Sequence, residues 1–305
     1  MQNVRIDDVW YDLSRWRRAH PAGTHWIDLY KNQVQIEITR PIDLFKLIDG
    51  DFMQDATEVM YGFHSDKGMG RVEHLPRSKS PPTDVPPVGQ ATRNFREWRQ
   101  QLVADGWWER EWDKEAFNIG SWAVALTAGI CLAQFTGSLA LQFAAVVVLG
   151  IANTYGGWLS HDYVHARGKF GEIMRPFGYF CGGMSTTWWS DKHNVHHART
   201  NEVTIDEDIA TDPALFLWAP DPKNDVPWRK YQGMYLPFPM SLLFLIWRFD
   251  SLKVVIERKA YKELFGLMCH YAFMLSFVPA WTFLGALMVS GFMTAVITTV
   301  LLSLP

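Results

Sequence analysis

FNIGSWAVALTAGICLAQFTGSLALQFAAVVVLGIANTYGGWLS, residues 117–160, contains no Asp, Glu, Lys or Arg. A membrane span takes roughly 20 apolar residues, and this run is about twice that length. Its middle, Gln134-Phe-Thr-Gly-Ser138, is polar and holds a glycine, so the run reads as a helical hairpin. Leu264 to Pro305 repeats the pattern without a single charge, with its turn expected at Pro279 or Gly285. Two hairpins make four spans, and each returns the chain to the side it left. The fold class that follows is mainly α, a polytopic helical membrane domain. Everything polar, 1–116 and 161–263, then lies on one face. Arg110, Lys114, Arg167, Lys169, Arg258, Lys259 and Lys262 put that face in the cytosol, because basic loops stay inside. Buried helices of a soluble protein are the alternative, and two such long uncharged runs disfavour it.

A third apolar run, Met234 to Trp247, is short and continues into charges spaced among Leu, Val and Ile. It predicts a helix over 234–260 lying along the membrane surface, with a re-entrant segment as the rival. Upstream, PRSKSPPTDVPPVGQATRN, 76–94, has the Pro and Ser content of a semi-rigid linker. FREWRQQLVADGWWEREWDKEAF follows and mixes aromatics with charges, as an amphipathic helix leading into the first span would.

Composition narrows the function classes. A net charge of −3 over 305 residues, with no dense basic cluster, argues against nucleic acid. Cys131, Cys181 and Cys269 are too scattered for a disulfide framework or a paired-cysteine metal site. Fifteen tryptophans, several near the ends of the apolar runs, suit interfacial belts. MQNVRIDDVWYDLSRWRRAHPAG has no apolar core of signal-peptide length, so the N-terminus is expected in the cytosol.

Five of the ten histidines flank the greasy segments: His161 and His165 in HDYVH, and His193, His196 and His197 in KHNVHH. If the second span runs helically past Ser160, His161 and His165 are one turn apart on one face. His193, His196 and His197 at i, i+3 and i+4 share a face of another helix. The two faces together would present five imidazoles just outside the lipid. Neutral imidazole is the commonest metal ligand and suits zinc, copper and iron. Asp162 is placed to hold the second nitrogen of a ligand imidazole, or else is a helix-end carboxylate. Lys192 and Asn194 are read as solvated face residues, and His270 as a structural residue inside the second hairpin.

HDYVH and KHNVHH resemble the first two histidine boxes, HDxxH and HxxHH, of membrane fatty acid desaturases and related hydroxylases. The surroundings GGWLSHDYVH, WWSDKHNVHHARTN and DEDIATDP are similar too. The likeness is to the front-end type with an N-terminal cytochrome b5 domain, in the branch of cytochrome b5-related proteins. It implies that His161, His165, His193, His196 and His197 hold non-haem iron, a di-iron centre that activates dioxygen against an unactivated acyl C–H. The family also carries a third box, QxxHH, which this sequence does not show. The expectation is therefore an incomplete iron pair and impaired turnover.

At the N-terminus, HPAGTHW with His20 resembles the HPGG loop that bears one axial ligand of a b5 haem. DATEVMYGFHS with His64 resembles the segment that bears the other. Ala22 replaces the second glycine, and an insertion around QVQIEITRPIDLFKLIDGDF widens the interval. His25 reads as a surface residue and His74 as a linker residue. The resemblance implies a small α+β haem b domain at 1–75, a linker and interfacial helix at 76–115, and a desaturase domain at 116–305. It further implies an acyl-lipid or acyl-CoA substrate, an NAD(P)H-dependent cytochrome b5 reductase as electron donor, and the endoplasmic reticulum membrane. A lipid hydroxylase, a membrane-bound haem electron carrier and a non-catalytic scaffold are the alternatives.

Overall fold

The computed structural model describes residues 3–20, 27, 56–64, 66–81, 83, 89–166, 168–200, 202, 206–209 and 225–303. The chain divides into two compact units, 1–110 and 111–305.

The first unit opens with a β-hairpin. β1 (Asn3–Ile6) pairs antiparallel with β2 (Val9–Asp12), with Val4 opposite Tyr11. The two-residue turn, Asp7-Asp8, has φ of 47° and 63°. Such tight hairpins need left-handed backbone, and Asp tolerates it better than most residues. The segment read as a linker begins instead as part of this unit. The Asp12 N–H donates to Pro76 O and the Ser78 N–H to Trp10 O, each at 2.8 Å, so the chain lies along the free edge of β2. An unpaired strand edge favours such pairing. α1 (Thr57–Phe63) buries Thr57, whose Oγ1 accepts the Asp7 N–H at 2.8 Å. α2 (Gln90–Ala104) is held by Arg96 Nε donating to Glu58 at 3.0 Å and by Arg99 lying 4.6 Å over the Tyr61 ring. Val4, Ile6, Tyr11, Leu13, Ile27, Ala56 and Val72 form the core. The expected insertion and His25 lie outside the described residues.

The second unit is helical. α3 (Trp112–Ala133) carries Asp113 and Glu115 in its first turn, where the helix dipole favours negative charge. α4 (Leu139–His165) is capped by Ser138 and runs unbroken through both histidines of HDYVH. After the short α5 (Gly168–Met174) and α6 (Pro176–Phe180) comes α7 (Thr186–Ala198), which holds KHNVHH. α8 (Pro237–Glu257), α9 (Tyr261–Phe277) and α10 (Ala280–Ser303) complete the unit. The turns fall at 134–138 and at Val278-Pro279, whereas Gly285 sits inside α10 against Val146.

Among the described residues, three helices are long and apolar enough to cross a membrane: Trp112–Ala133, Leu139–His165 and Ala280–Ile297. Their outward side chains are apolar, Phe117 at 71% and Val124 at 70% exposure, which water would penalise and lipid does not. The chain is an integral membrane protein. α9 differs from the expected fourth span, since 17 residues reach only about 25 Å against a hydrocarbon core of about 30 Å.

Packing relies on small residues and buried polar pairs, as it must where lipid removes the hydrophobic drive between helices. α3 and α4 run antiparallel, with Gly129 against Leu149 and the Tyr155 hydroxyl donating to Asn118 at 2.7 Å. α4 and α10 run parallel: Thr282 donates to Gln142 at 2.7 Å, Gly150 meets Val289, and Thr154 lies 3.2 Å from Ser290. At the end away from the histidines, Gln134 Nε2 donates to Phe277 O, so the two turns touch. α8 packs along α10, its Phe244 against Gly291, and buries Arg248, Ser251 and Val255.

Candidate metal centre

Two local features aim the histidines. Because α4 continues to its end at His165, the rings of His161 and His165 meet edge to face one turn apart, centroids 4.7 Å apart. α7 is fixed at its N-terminus by Ser185, whose Oγ accepts the Trp188 N–H at 3.0 Å. There the Glu263 carboxylate from α9 also accepts from the hydroxyls of Ser185, Thr186 and Thr187. An acidic group at a helix start meets the free N–H ends and the positive pole of the dipole. The orientation of the second histidine patch is thus set from α9.

Four imidazoles converge. Nε2 of His161 lies 2.8 Å from Nε2 of His193, which lies 3.0 Å from Nε2 of His197. The His165 ring stands 4.7 Å from that of His197 and 5.2 Å from that of His193. One nitrogen from each of the four falls within 4.8 Å of all the others. His196 departs from the expected common point. Successive helix residues turn by about 100°, so His196 and its neighbour His197 face different ways. Its Nδ1 is 2.9 Å from Asp206 Oδ2 and 3.5 Å from Asp208 Oδ2, and these three residues form a second group of ligand atoms within 4.8 Å.

The first cluster suits a cation. Two nitrogens on a metal with bonds near 2.0–2.1 Å stand about 3 Å apart when adjacent and about 4 Å when opposite. The observed separations need little change to meet those values. Burial first, then the neighbouring His161, His197, His165 and His196, hold the His193 pKa down to about 2. The ring therefore keeps its lone pair at physiological pH. Trp189 stacks on it at 4.7 Å with an interplanar angle of 23°, and Trp158 lies 5.6 Å from His161. Asp162 Oδ1 is 2.9 Å from His161 Nδ1, where it can fix the tautomer that leaves Nε2 to the metal.

Asp206 and Asp208, to which the sequence alone assigns no role, flank His196, and Lys192 joins them through Asp208. The Lys192 ammonium binds Asp208 and lies 5.4 Å over the Trp247 ring, so it is not a solvated face residue. The acidic run Asp206-Glu207-Asp208, ten residues past His196, was the available signal. His270 stays apart from both clusters. It is buried in α9, its Nδ1 3.1 Å from Phe180 O.

In the first unit, His20 and His64 have ring centroids 6.1 Å apart at an interplanar angle of 62°. The rest of HPAGTHW lies outside the described residues. His74 ends a short 3-10 turn, Val72–His74, next to the core residue Val72.

The family model "Fatty acid desaturase" matches residues 137–304, more than half of the chain. Over 291 residues the chain is 28% identical to an acyl-lipid 8-desaturase of Rebecca salina, covering 90% of this chain and 62% of the relative. Over 307 residues it is 28% identical to a Delta(8)-fatty-acid desaturase of Euglena gracilis, covering 91% and 66%. Fatty acid desaturase 3 of Bos taurus is 23% identical over 302 residues, covering 91% and 62%. The chain thus spans about two thirds or less of these relatives' length. No solved structure matches it.

Proposed function

Because the chain belongs to the fatty acid desaturase family, we propose that it is an oxidoreductase of the front-end type acting on the acyl chain of a lipid or coenzyme A ester. The reaction removes two hydrogens from adjacent carbons to leave a double bond. Dioxygen, with two electrons and two protons supplied, is reduced to two waters. Bound iron would supply the dioxygen activation that attack on an unactivated C–H requires. His161, His165, His193 and His197 would hold one ion, and His196 would serve a second position of an iron pair. The observation that carries this reading is the convergence of four imidazoles from two helices, His161 and His193 being 32 residues apart in the chain, at the end of a membrane-length helix.

The protein's own groups then have defined tasks. Asp162 orients His161, Trp189 stacks on His193 while burial keeps that ring neutral, and Glu263 sets the direction of α7. In this reading the two hairpins give four spans, with α9 crossing a locally thinned bilayer. The histidine face then looks into the cytosol from the endoplasmic reticulum.

Electrons would come through the first unit. His20 and His64 would hold haem b, which would supply single-electron transfer. The His20–His64 spacing of 6.1 Å suits haem b held by both. An NAD(P)H-dependent cytochrome b5 reductase is the donor this arrangement calls for. The same spacing favours a second reading, a membrane-anchored haem electron carrier.

The test is the full chain expressed in yeast membranes with acyl substrates supplied. The desaturase reading expects bound non-haem iron, and a new double bond by mass spectrometry that requires oxygen and is lost in His161→Ala. A purified chain with haem absorbance but no non-haem iron and no oxygen uptake would establish the carrier instead. A spectrum unchanged in His20→Ala and His64→Ala would remove the haem.

A further inference from the structure

Asp206 has a carboxylate with 0% of its side chain exposed, pointed at a histidine. Its Oδ2 lies 2.9 Å from His196 Nδ1, and its Oδ1 accepts the Asp208 N–H at 2.9 Å. The Asp206 N–H in turn donates to Glu202 O at 2.9 Å. Glu202 is itself gripped by the buried Arg199, at the end of α7, with Nη2 to Oε1 at 2.6 Å. The carboxylate is therefore anchored to the same helix that carries His196, on the far side of a short loop. Asp208 is the weaker partner, at 3.5 Å from the same nitrogen, and its other oxygen is taken by Lys192.

A carboxylate removed from water must be held by donors, and it accepts the Nδ1–H of an imidazole well. A metal on the far nitrogen strengthens that bond and is strengthened by it, since the carboxylate raises the basicity of the ring. We infer that Asp206 is a positioning residue which holds the Nδ1–H of His196, so that Nε2 is the nitrogen presented to a metal. The two His–Asp contacts then have matched roles. Asp162 serves His161 in the four-imidazole cluster, and Asp206 serves His196 beside it. Lys192 binds Asp208 directly, while Asp206 Oδ2 contacts the histidine. This inference rests on the reading of the histidines as metal ligands.

Cobalt(II) added to the metal-free full chain in detergent tests it, by the visible absorption of the bound ion. Wild type, Asp206→Asn, Asp206→Glu, Asp208→Asn and His196→Asn are compared. Asp206→Asn should weaken the cobalt position that His196→Asn removes by roughly 10- to 100-fold. The four-imidazole position should keep its affinity. Asp206→Glu should restore part of the loss, and Asp208→Asn should shift affinity less than threefold. At saturating cobalt the Asp206→Asn spectrum should match wild type, because the ligand atoms are the same. A changed spectrum at saturation would make Asp206 a ligand and overturn the inference. So would unchanged affinity with a lower melting temperature of the metal-free protein, which marks a structural role alone. Wild type that binds no cobalt would instead bring down the metal reading itself, before any variant is compared.

Discussion

His161 and His193 meet Nε2 to Nε2 at 2.8 Å, one at the end of α4 and the other two turns into α7. Neither contact partner nor distance follows from the short motifs that contain them. The meeting depends on the anchoring of α7 at Ser185 and on the length of α4.

Loss of one of these rings should be felt by metal rather than by fold. His193→Asn is expected to abolish iron retention at the four-imidazole cluster, measured as non-haem iron per purified chain. His270→Ala, which removes the ring whose Nδ1 lies 3.1 Å from Phe180 O in the same unit, should lower the melting temperature and leave the non-haem iron in place. Equal iron loss in both would mean the cluster is not the binding site.

The close approach of α4 and α10 gives a test of the helix packing. A Cβ on Gly150 would lie 2.5 Å from Val289 Cγ1, whereas nothing lies within 4 Å of the Cβ position of Gly157 on the same helix. Gly150→Ala should destabilise by about 1–3 kcal/mol, the usual effect of overpacking. Gly157→Ala should be near neutral in the same thermal assay. A harmless Gly150→Ala would contradict the parallel α4–α10 contact.

Glu263 is expected to matter to the metal cluster without touching it. Its carboxylate gathers Thr186 Oγ1 at 3.1 Å, Thr187 Oγ1 at 2.6 Å and the Ser185 hydroxyl at the start of α7. Removing it leaves several donors without their acceptor, so Glu263→Ala should cost about 2–3 kcal/mol. Glu263→Gln keeps the shape but loses the charge at the helix start, and should cost about 1 kcal/mol. Thermal unfolding ranks the two, and cobalt affinity should fall in the same order.

Acid should weaken the metal-free fold through His193. Burial and neighbouring imidazoles hold its pKa to about 2 in the folded protein, against roughly 6.5 for a free side chain. Below about 6.5 the unfolded chain takes up a proton that the folded one refuses. The contribution is whole above that value and is lost as pH falls toward 2. At pH 5 the loss from this residue is about 2 kcal/mol. Melting temperature should therefore drop between pH 7 and pH 5, and His193→Asn should flatten the slope. Parallel slopes would show that the ring is not held neutral by the fold.

The sequence by itself determined the helices and the composition of the centre. Long uncharged runs can satisfy their backbone in lipid only as helices, so 117–160 had to become α3, the 134–138 turn and α4. Histidines at i and i+4 share a face wherever the helix goes, which made HDYVH and KHNVHH legible as ligand pairs. What the tertiary structure alone decided is which of those faces meet. His196 left the common point because adjacent helix positions diverge, and it found Asp206 across a loop whose path no periodicity records. The parallel contact of α4 with α10, the edge pairing of 76–78 on β2 and the hold of Glu263 on α7 are likewise made between distant residues. Local spacing fixes direction along one helix, but convergence on a point depends on how separate elements pack, and that is set by contacts far apart in the chain.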